Sequence, residues 1–202
     1  MTFASTKALT LAARAGGYAI PAVNIVDQLS LNAVVDAANE ARSPIILQTS
    51  VKTLKVVGAA ELAAAAKLAA ERVTVPVALH LDHCPDRGVI TEAIQHGWSS
   101  VLFDASDRDL DAAWAETREV VAEAHAAGVD VESEIENIIG VEDGIGSDSA
   151  KHSYSVDQLI EVATDTGTDL IAPQLGTAHG LYKASPVLLF DRVEEFTGKT
   201  DL

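Results

Sequence analysis

The chain has 202 residues, a formal net charge of −16, 48% hydrophobic residues and 22% charged residues. This composition is typical of a globular protein with a sizeable core, and we expect one domain over residues 1–202. The acidic balance argues against a nucleic-acid partner, because binding a phosphate backbone needs a basic stripe. No apolar stretch reaches the roughly 20 residues that cross a bilayer, and Cys84 is the single cysteine. We therefore expect a cytoplasmic protein with no membrane partner.

Short β-branched runs alternate with helical patterns along the chain. An amphipathic opening helix is predicted around Ala8–Ala13, and a last helix is predicted from the Ser185-Pro186 pair to Gly198. Helical patterns also separate most of the β-branched runs. The runs predicted as strands are Tyr18–Asn24, Pro44–Ser50, Val75–Asp82, Ser99–Asp104, Val129–Glu134 and Asp169–Gln174.

This alternation predicts an α/β fold with a parallel sheet, either an open doubly wound sheet or a TIM (β/α)8 barrel. Polar residues occupy many of the predicted carboxyl ends of the strands, and a closed ring brings such ends to one centre. No glycine-rich dinucleotide fingerprint follows the first strand, so the barrel is favoured. The polar strand-end residues are Asn24, Ser50, Asp82, His83, Asp104 and Glu134.

The length of the chain bears on this fold, because a barrel of eight units takes about 250 residues. We expect about six βα units within the 202 residues, with the seventh and eighth strands absent from them. A chain of these residues alone is expected to be inactive and poorly soluble, because unpaired strand edges and apolar side chains would be exposed.

Residues 136–153 lack a regular pattern and contain Gly140, Gly144 and Gly146. Irregular stretches of this length inside a domain are usually lids or binding loops. We interpret residues 136–153 as a mobile active-site loop that carries an acid.

Three motifs together resemble the zinc-dependent class II ketose-bisphosphate aldolases, the fructose/tagatose-bisphosphate aldolase family. They are His80-Leu81-Asp82-His83, Val131-Glu132-Ser133-Glu134 followed by Gly140-Val141-Glu142-Asp143-Gly144, and Gly176-Thr177-Ala178-His179-Gly180-Leu181-Tyr182-Lys183. Their order and spacing are those of the family, and the resemblance extends from the first helix to residue 202.

The resemblance implies reversible aldol cleavage of a ketose 1,6-bisphosphate, with fructose 1,6-bisphosphate preferred, to dihydroxyacetone phosphate and glyceraldehyde 3-phosphate. It also implies one catalytic Zn²⁺ per complete subunit, a monovalent cation (Na⁺ or K⁺) near the phosphate, and a dimeric or tetrameric homo-oligomer. A divalent cation suits this reaction because it stabilises the negative charge that develops on the substrate oxygens.

The same resemblance assigns roles to individual residues. His83, His179 and Glu134 correspond to metal ligands, and Asp82 corresponds to the general base that acts on the C4 hydroxyl proton. Glu142 would handle the proton on dihydroxyacetone phosphate. The substrate-binding candidates are Asn24, Ser50, Gly180 and Lys183.

Three further residues are expected to support the ligands without binding the metal. His80 shares the strand face of Asp82, and Glu132 precedes Glu134 by two residues. For Asp104 the sequence leaves two roles open, this supporting role and that of a helix N-cap. One departure concerns the loop hinge: Ile135-Glu136 stands where the family commonly has Leu-Gly after the metal glutamate.

Three alternatives stay open at this point. Tagatose 1,6-bisphosphate could be the substrate, since it differs from the fructose compound at C4. A zinc hydrolase could use the same barrel, although such sites normally begin with two histidines on the first strand, where this chain has Val23-Asn24-Ile25. The chain could also be a truncated aldolase without activity, which the gene sequence beyond codon 202 would decide.

Overall fold

The computed structural model describes residues 3–142, 145–147, 149, 151–182 and 184–202, with only the backbone described at 142 and 145–147. The strands in these ranges are β1 Ala22–Asn24, β2 Ile45–Ser50, β3 Val77–Cys84, β4 Ser100–Asp104, β5 Asp130–Glu134, β6 Gly140–Glu142, β7 Ile145–Ser147 and β8 Leu170–Ile171. The helices are α1 Thr6–Gly16, α2 Gln28–Ala41, α3 Val51–Val57, α4 Ala59–Ala70, α5 Arg87–His96, α6 Leu110–Ala126, α7 Val156–Thr166 and α8 Phe190–Lys199.

Six strands form one sheet in the order β1-β2-β3-β4-β5-β8. β1 pairs with β2, β2 with β3, and β5 with β8, all in parallel. The six predicted strands are therefore confirmed, as is the α/β fold with a parallel sheet. The sheet follows chain order, which is the arrangement of consecutive units in a (β/α)8 barrel and not the reversed order of a doubly wound sheet.

Two compact units divide the chain. The first contains Met1–Leu102 and Ala122–Val131, and the second contains Phe103–Val121 and Glu132–Leu202. In the first unit the parallel strands β2 and β3 supply fully buried side chains such as Leu47, Leu79 and Leu81. Near-continuous apolar runs are typical of parallel strands, which are covered on both faces.

Helices of the first unit begin and end at residues that the sequence marks. Asp27 accepts a hydrogen bond from the Ser30 N–H and forms a capping box at the start of α2. The apolar side chains of Leu31, Val35 and Ala38 are buried on this helix. The Ala-rich stretch after β2 is interrupted at Gly58, where α3 ends and α4 begins.

In the second unit, α7 begins at a capping box formed by Ser155 and Gln158. The last helix differs from its prediction, because α8 begins at Phe190 and not after Ser185. The segment before α8 is instead hydrogen-bonded to the chain that follows β8, where the Leu189 N–H donates to the Leu175 carbonyl at 2.9 Å. The carbonyl of Val187 also lies where a side chain on Gly176 would be, so glycine is required there.

Residues 136–153 contain regular structure that the sequence did not predict. β6 and β7 pair in antiparallel fashion, with Gly140 opposite Ser147. Ile139 forms a bridge with Ala178. Gly140 has a φ of 109°, and a Cβ there would clash with the backbone of His179, so glycine is required at this position. No helix among the described residues combines the length and apolar character needed to cross a membrane.

Candidate active site

Asp82 and His83 lie at the carboxyl end of β3. Asp82 is buried, and its Oδ1 atom lies 3.9 Å from Nε2 of His83. His83 has a φ of 41°, the left-handed region that non-glycine residues rarely adopt. This backbone conformation breaks the alternation of strand side chains, so an acid and an imidazole that are adjacent in sequence are also close in space.

Asn24 and Ser50 also lie at strand ends. Asn24 ends β1, and its Nδ2 donates to Oδ2 of Asp82 at 3.4 Å. Ser50 ends β2 and is in register with Asp82, while its hydroxyl accepts the Thr53 N–H at 3.2 Å as the N-cap of α3. Both predicted substrate-binding residues are thus placed at the same end of the sheet as Asp82.

His80 belongs to a buried polar network of the first unit. Its Nδ1 lies 2.8 Å from the Ser100 hydroxyl, which in turn lies 2.6 Å from the Thr6 hydroxyl at the start of α1. Burial, with a smaller contribution from the nearby His83, lowers the pKa of His80 to about 3. His80 is therefore neutral and joins α1 to the strands β3 and β4.

Asp104 and Glu134 end the next two strands of the sheet. Asp104 is buried, and its Oδ1 accepts from the Ser106 N–H at 3.0 Å and the Ser106 hydroxyl at 2.6 Å. The N-cap alternative for Asp104 is wrong, because Asp109 accepts the Ala112 N–H at 2.9 Å at the start of α6. Glu134 is buried and its Oε1 accepts from the Ile138 N–H at 3.3 Å.

Each unit contains potential metal ligands among its described residues. In the second unit Asp104 and Glu134 each offer a carboxylate oxygen, and these two atoms lie within 4.8 Å of one another. In the first unit His83 offers an imidazole nitrogen. Imidazole nitrogen and carboxylate oxygen are ligands that Zn²⁺ accepts, so these residue types fit this ion. The sequence predicted a supporting role for Asp104, and its place beside Glu134 indicates a closer one.

The other predicted site residues lie in the second unit. His179 and Gly180 follow the bridge at Ala178, and the His179 N–H donates to the Ile139 carbonyl at 2.8 Å. Within the described part of the second unit, His179 is not grouped with Asp104 and Glu134. Glu132 is half-buried and in register with Leu170 of β8.

Two predicted residues cannot be placed by their side chains. Glu142 ends β6, but its side chain lies outside the described part of the structure, and Lys183 lies outside the described residues altogether.

The second unit contains another buried carboxylate, that of Glu136. The sequence indicated no site role for it. Glu136 is fully buried, and Arg192 of α8 donates to both of its oxygens, at 3.0 and 2.8 Å. The Ile135-Glu136 departure from the family pattern was the one sequence signal for it.

Comparison with known proteins decides the family. The model of the family described as class-II fructose-bisphosphate aldolase matches residues 4–201. The chain belongs to this family. Members named as aldolases are lyases, and the class II aldolases bind phosphorylated sugars and are generally zinc-dependent.

Two relatives and one solved structure illustrate the similarity of this class II aldolase chain to known proteins. It is 35% identical to the sulfofructosephosphate aldolase of Alkalicoccus urumqiensis over 98% of the chain and 69% of that protein. It is 36% identical to the D-tagatose-1,6-bisphosphate aldolase subunit GatY of Klebsiella oxytoca, over 100% of the chain and 72% of the relative. The crystal structure of the YdjI aldolase from Escherichia coli K12 matches with a TM-score of 0.83 and 29% identity, over 96% of this chain and 69% of that one.

Proposed function

We propose that the protein is a zinc-dependent aldolase that reversibly cleaves fructose 1,6-bisphosphate to dihydroxyacetone phosphate and glyceraldehyde 3-phosphate. The observation that carries this proposal is the Asp82–His83 pair at the end of β3, in which the buried carboxylate lies 3.9 Å from an imidazole that can bind a metal. A metal ligand next to a buried acid supports the two functions that aldol cleavage needs, charge stabilisation and proton transfer.

His83, Glu134 and His179 are proposed as zinc ligands on the strength of the family resemblance. Asp104 is proposed as a further ligand because its carboxylate lies within 4.8 Å of the Glu134 carboxylate. Zinc, when bound, would act as a Lewis acid for negative charge that develops on the substrate oxygens. The hydrogen bonds from Ser106 to Asp104 and from Ile138 to Glu134 orient the two carboxylates, as supporting contacts do in metal sites.

Asp82 is proposed as the general base that removes the C4 hydroxyl proton during cleavage and returns it during condensation. A general base has to lie within hydrogen-bonding reach of its proton, and a carboxylate beside a metal ligand meets this condition for a substrate held at the metal. The hydrogen bond from Asn24 holds the Asp82 carboxylate in a defined orientation. Asn24 is also proposed to contact substrate hydroxyls.

The remaining assignments rest on the family resemblance. Glu142 is proposed to transfer the proton of dihydroxyacetone phosphate. Ser50, Gly180 and Lys183 are proposed to bind substrate, with a monovalent cation beside the phosphate. We further propose a homo-oligomer, dimeric or tetrameric, that works in the cytoplasm.

Two assays test the function. The full-length protein is incubated with fructose 1,6-bisphosphate or tagatose 1,6-bisphosphate, and release of dihydroxyacetone phosphate is followed by coupling to its reduction. We expect faster cleavage of the fructose compound and loss of cleavage after chelation. The similarity to a relative named tagatose-bisphosphate aldolase makes the tagatose compound the second candidate. Equal rates on the two sugars would contradict the preference, and no cleavage of either would contradict the proposed reaction.

A further inference from the structure

Glu136 is a fully buried carboxylate that lies two residues beyond the proposed ligand Glu134. Its Oε1 accepts the Tyr154 N–H at 2.8 Å, and its Oε2 accepts the Gln174 N–H at 3.0 Å. Nη2 of Arg192 donates to both oxygens. A buried charge is tolerated when it is paired and hydrogen-bonded in this way, so the carboxylate has a fixed position.

These hydrogen bonds join four segments of the second unit. Glu136 follows β5, Tyr154 precedes α7, Gln174 follows β8, and Arg192 belongs to α8. Arg192 also donates to the Tyr154 carbonyl at 3.2 Å, which closes the network. A glycine at position 136 has no side chain with which to make these bonds, so this chain holds the end of β5 by contacts that the common family pattern does not provide.

Asn137 extends this anchor by one residue. Its Oδ1 accepts the Lys151 N–H at 2.5 Å, its Nδ2 donates to the Ser149 carbonyl at 3.0 Å, and its own carbonyl accepts from Nε2 of Gln174 at 2.7 Å. The next N–H along the chain is that of Ile138, which donates to Oε1 of Glu134. The anchored residues thus determine where the Ile138 N–H points.

We propose that Glu136 is a positioning residue for the metal site. Through its bonds to Arg192, Tyr154 and Gln174 it fixes the chain after β5, so that the Ile138 N–H holds the Glu134 carboxylate in the orientation that binds the metal. This inference rests on the proposed role of Glu134 as a zinc ligand.

The test compares Glu136→Gln with wild type in the full-length protein. Gln has the shape of Glu but replaces one acceptor oxygen with an NH₂ donor, which cannot accept from Gln174 or Arg192. We expect the zinc Kd to rise and kcat to fall by about 10- to 100-fold, as for other supporting contacts of metal ligands, with KM changed less than about threefold. Hydrogen exchange of the Ile138 amide should accelerate by a similar factor.

Thr166→Val is the matched control, because it also removes hydrogen bonds of a buried side chain in the second unit. The Thr166 hydroxyl donates to the Val162 carbonyl and is hydrogen-bonded to the Thr168 hydroxyl. It should lower Tm while leaving zinc affinity and Ile138 exchange at wild-type values. The inference is overturned if Thr166→Val reproduces both changes, or if Glu136→Gln has wild-type zinc affinity and Ile138 exchange.

Two further measurements distinguish a failure of the proposed function from a failure of the anchoring role of Glu136. If the wild-type protein binds no zinc, the proposed function fails, and unchanged Ile138 exchange in Glu136→Gln would also refute the anchoring role. If Glu136→Gln does not fold, Glu136→Asp takes its place, since it keeps the charge opposite Arg192 but is one methylene too short to reach all its donors. It should show the same changes at reduced size, and wild-type behaviour would overturn the inference.

Discussion

The carboxylate of Asp82 and the imidazole of His83 lie 3.9 Å apart although the two residues are neighbours on one strand. Consecutive side chains of a regular strand point to opposite faces, and the left-handed conformation of His83 removes that separation. Strained backbone of this kind is concentrated at functional sites, where the surrounding structure maintains it. The pair gives the proposed site its acid and its first metal ligand from two adjacent positions.

Asp82→Ala should separate proton transfer from metal binding. Because Asp82 is proposed to act on the substrate proton while His83 binds the metal, the variant should retain stoichiometric zinc and lose about 10²- to 10⁴-fold in kcat. Metal analysis and the coupled cleavage assay measure the two properties, with the exposed Asp36→Ala as the control. Cleavage at the wild-type rate by Asp82→Ala would show that another group moves the proton.

His83→Gly should lose both zinc and activity. Glycine adopts a φ of 41° without strain, so this variant removes the imidazole and leaves the backbone conformation available. We expect an unfolding free energy within about 1 kcal/mol of the wild-type value and no retained zinc. A folded His83→Gly protein that keeps stoichiometric zinc would mean that His83 is not a ligand.

The third metal ligand can be identified by comparing Asp104→Asn with His179→Ala. Asp104 is proposed because its carboxylate lies near that of Glu134, while His179 is proposed from the family resemblance. If both bind zinc, each substitution should weaken zinc binding by at least about 10-fold in a competition titration with a chelating dye. A variant with unchanged zinc affinity would remove its residue from the ligand set.

Much of the fold follows from the sequence, because its signals are local. The six strands of the main sheet were predicted, since apolar runs are signals that act over a few residues. The start of α8 was not predictable from local sequence. Leu189, just before the helix, is hydrogen-bonded to Leu175, which lies 14 positions earlier in the chain. β8 is likewise shorter than predicted, since the Gln174 N–H is used by the Glu136 carboxylate.

The candidate site shows the same division between local and distant information. Asp82, His83 and Glu134 were proposed from motifs and strand ends. The closeness of Asp104 to Glu134 depends on how the chain after β4 meets the end of β5, and the bonds of Glu136 to Arg192 span 56 positions. Neither relationship has a signal within one stretch of sequence.

His80 predicts a specific pH dependence of stability. Its pKa is lowered in the folded protein to about 3, below the ordinary value of 6.5, because burial disfavours the charged imidazole. The unfolded chain therefore binds the additional proton between these two values. The contribution of neutral His80 to the free energy of unfolding is fully present above pH 6.5. It is lost as the pH falls from 6.5 towards 3, by about 1.4 kcal/mol per pH unit.

His80→Gln removes this titration while keeping a polar partner for Ser100. Between pH 6.5 and 5.5 the wild type should therefore lose roughly 1 kcal/mol more unfolding free energy than His80→Gln, measured by urea unfolding. Parallel pH profiles for the two proteins would show that His80 is not held neutral by the fold.

Metal dependence of cleavage is the most direct test of the proposed chemistry. The full-length protein is stripped with a chelator, assayed on fructose 1,6-bisphosphate, and assayed again after stepwise addition of Zn²⁺. We expect cleavage to disappear with the metal and to return in proportion to bound zinc, reaching its maximum at one ion per subunit. Cleavage at the untreated rate by protein shown to contain no metal would contradict the proposed mechanism.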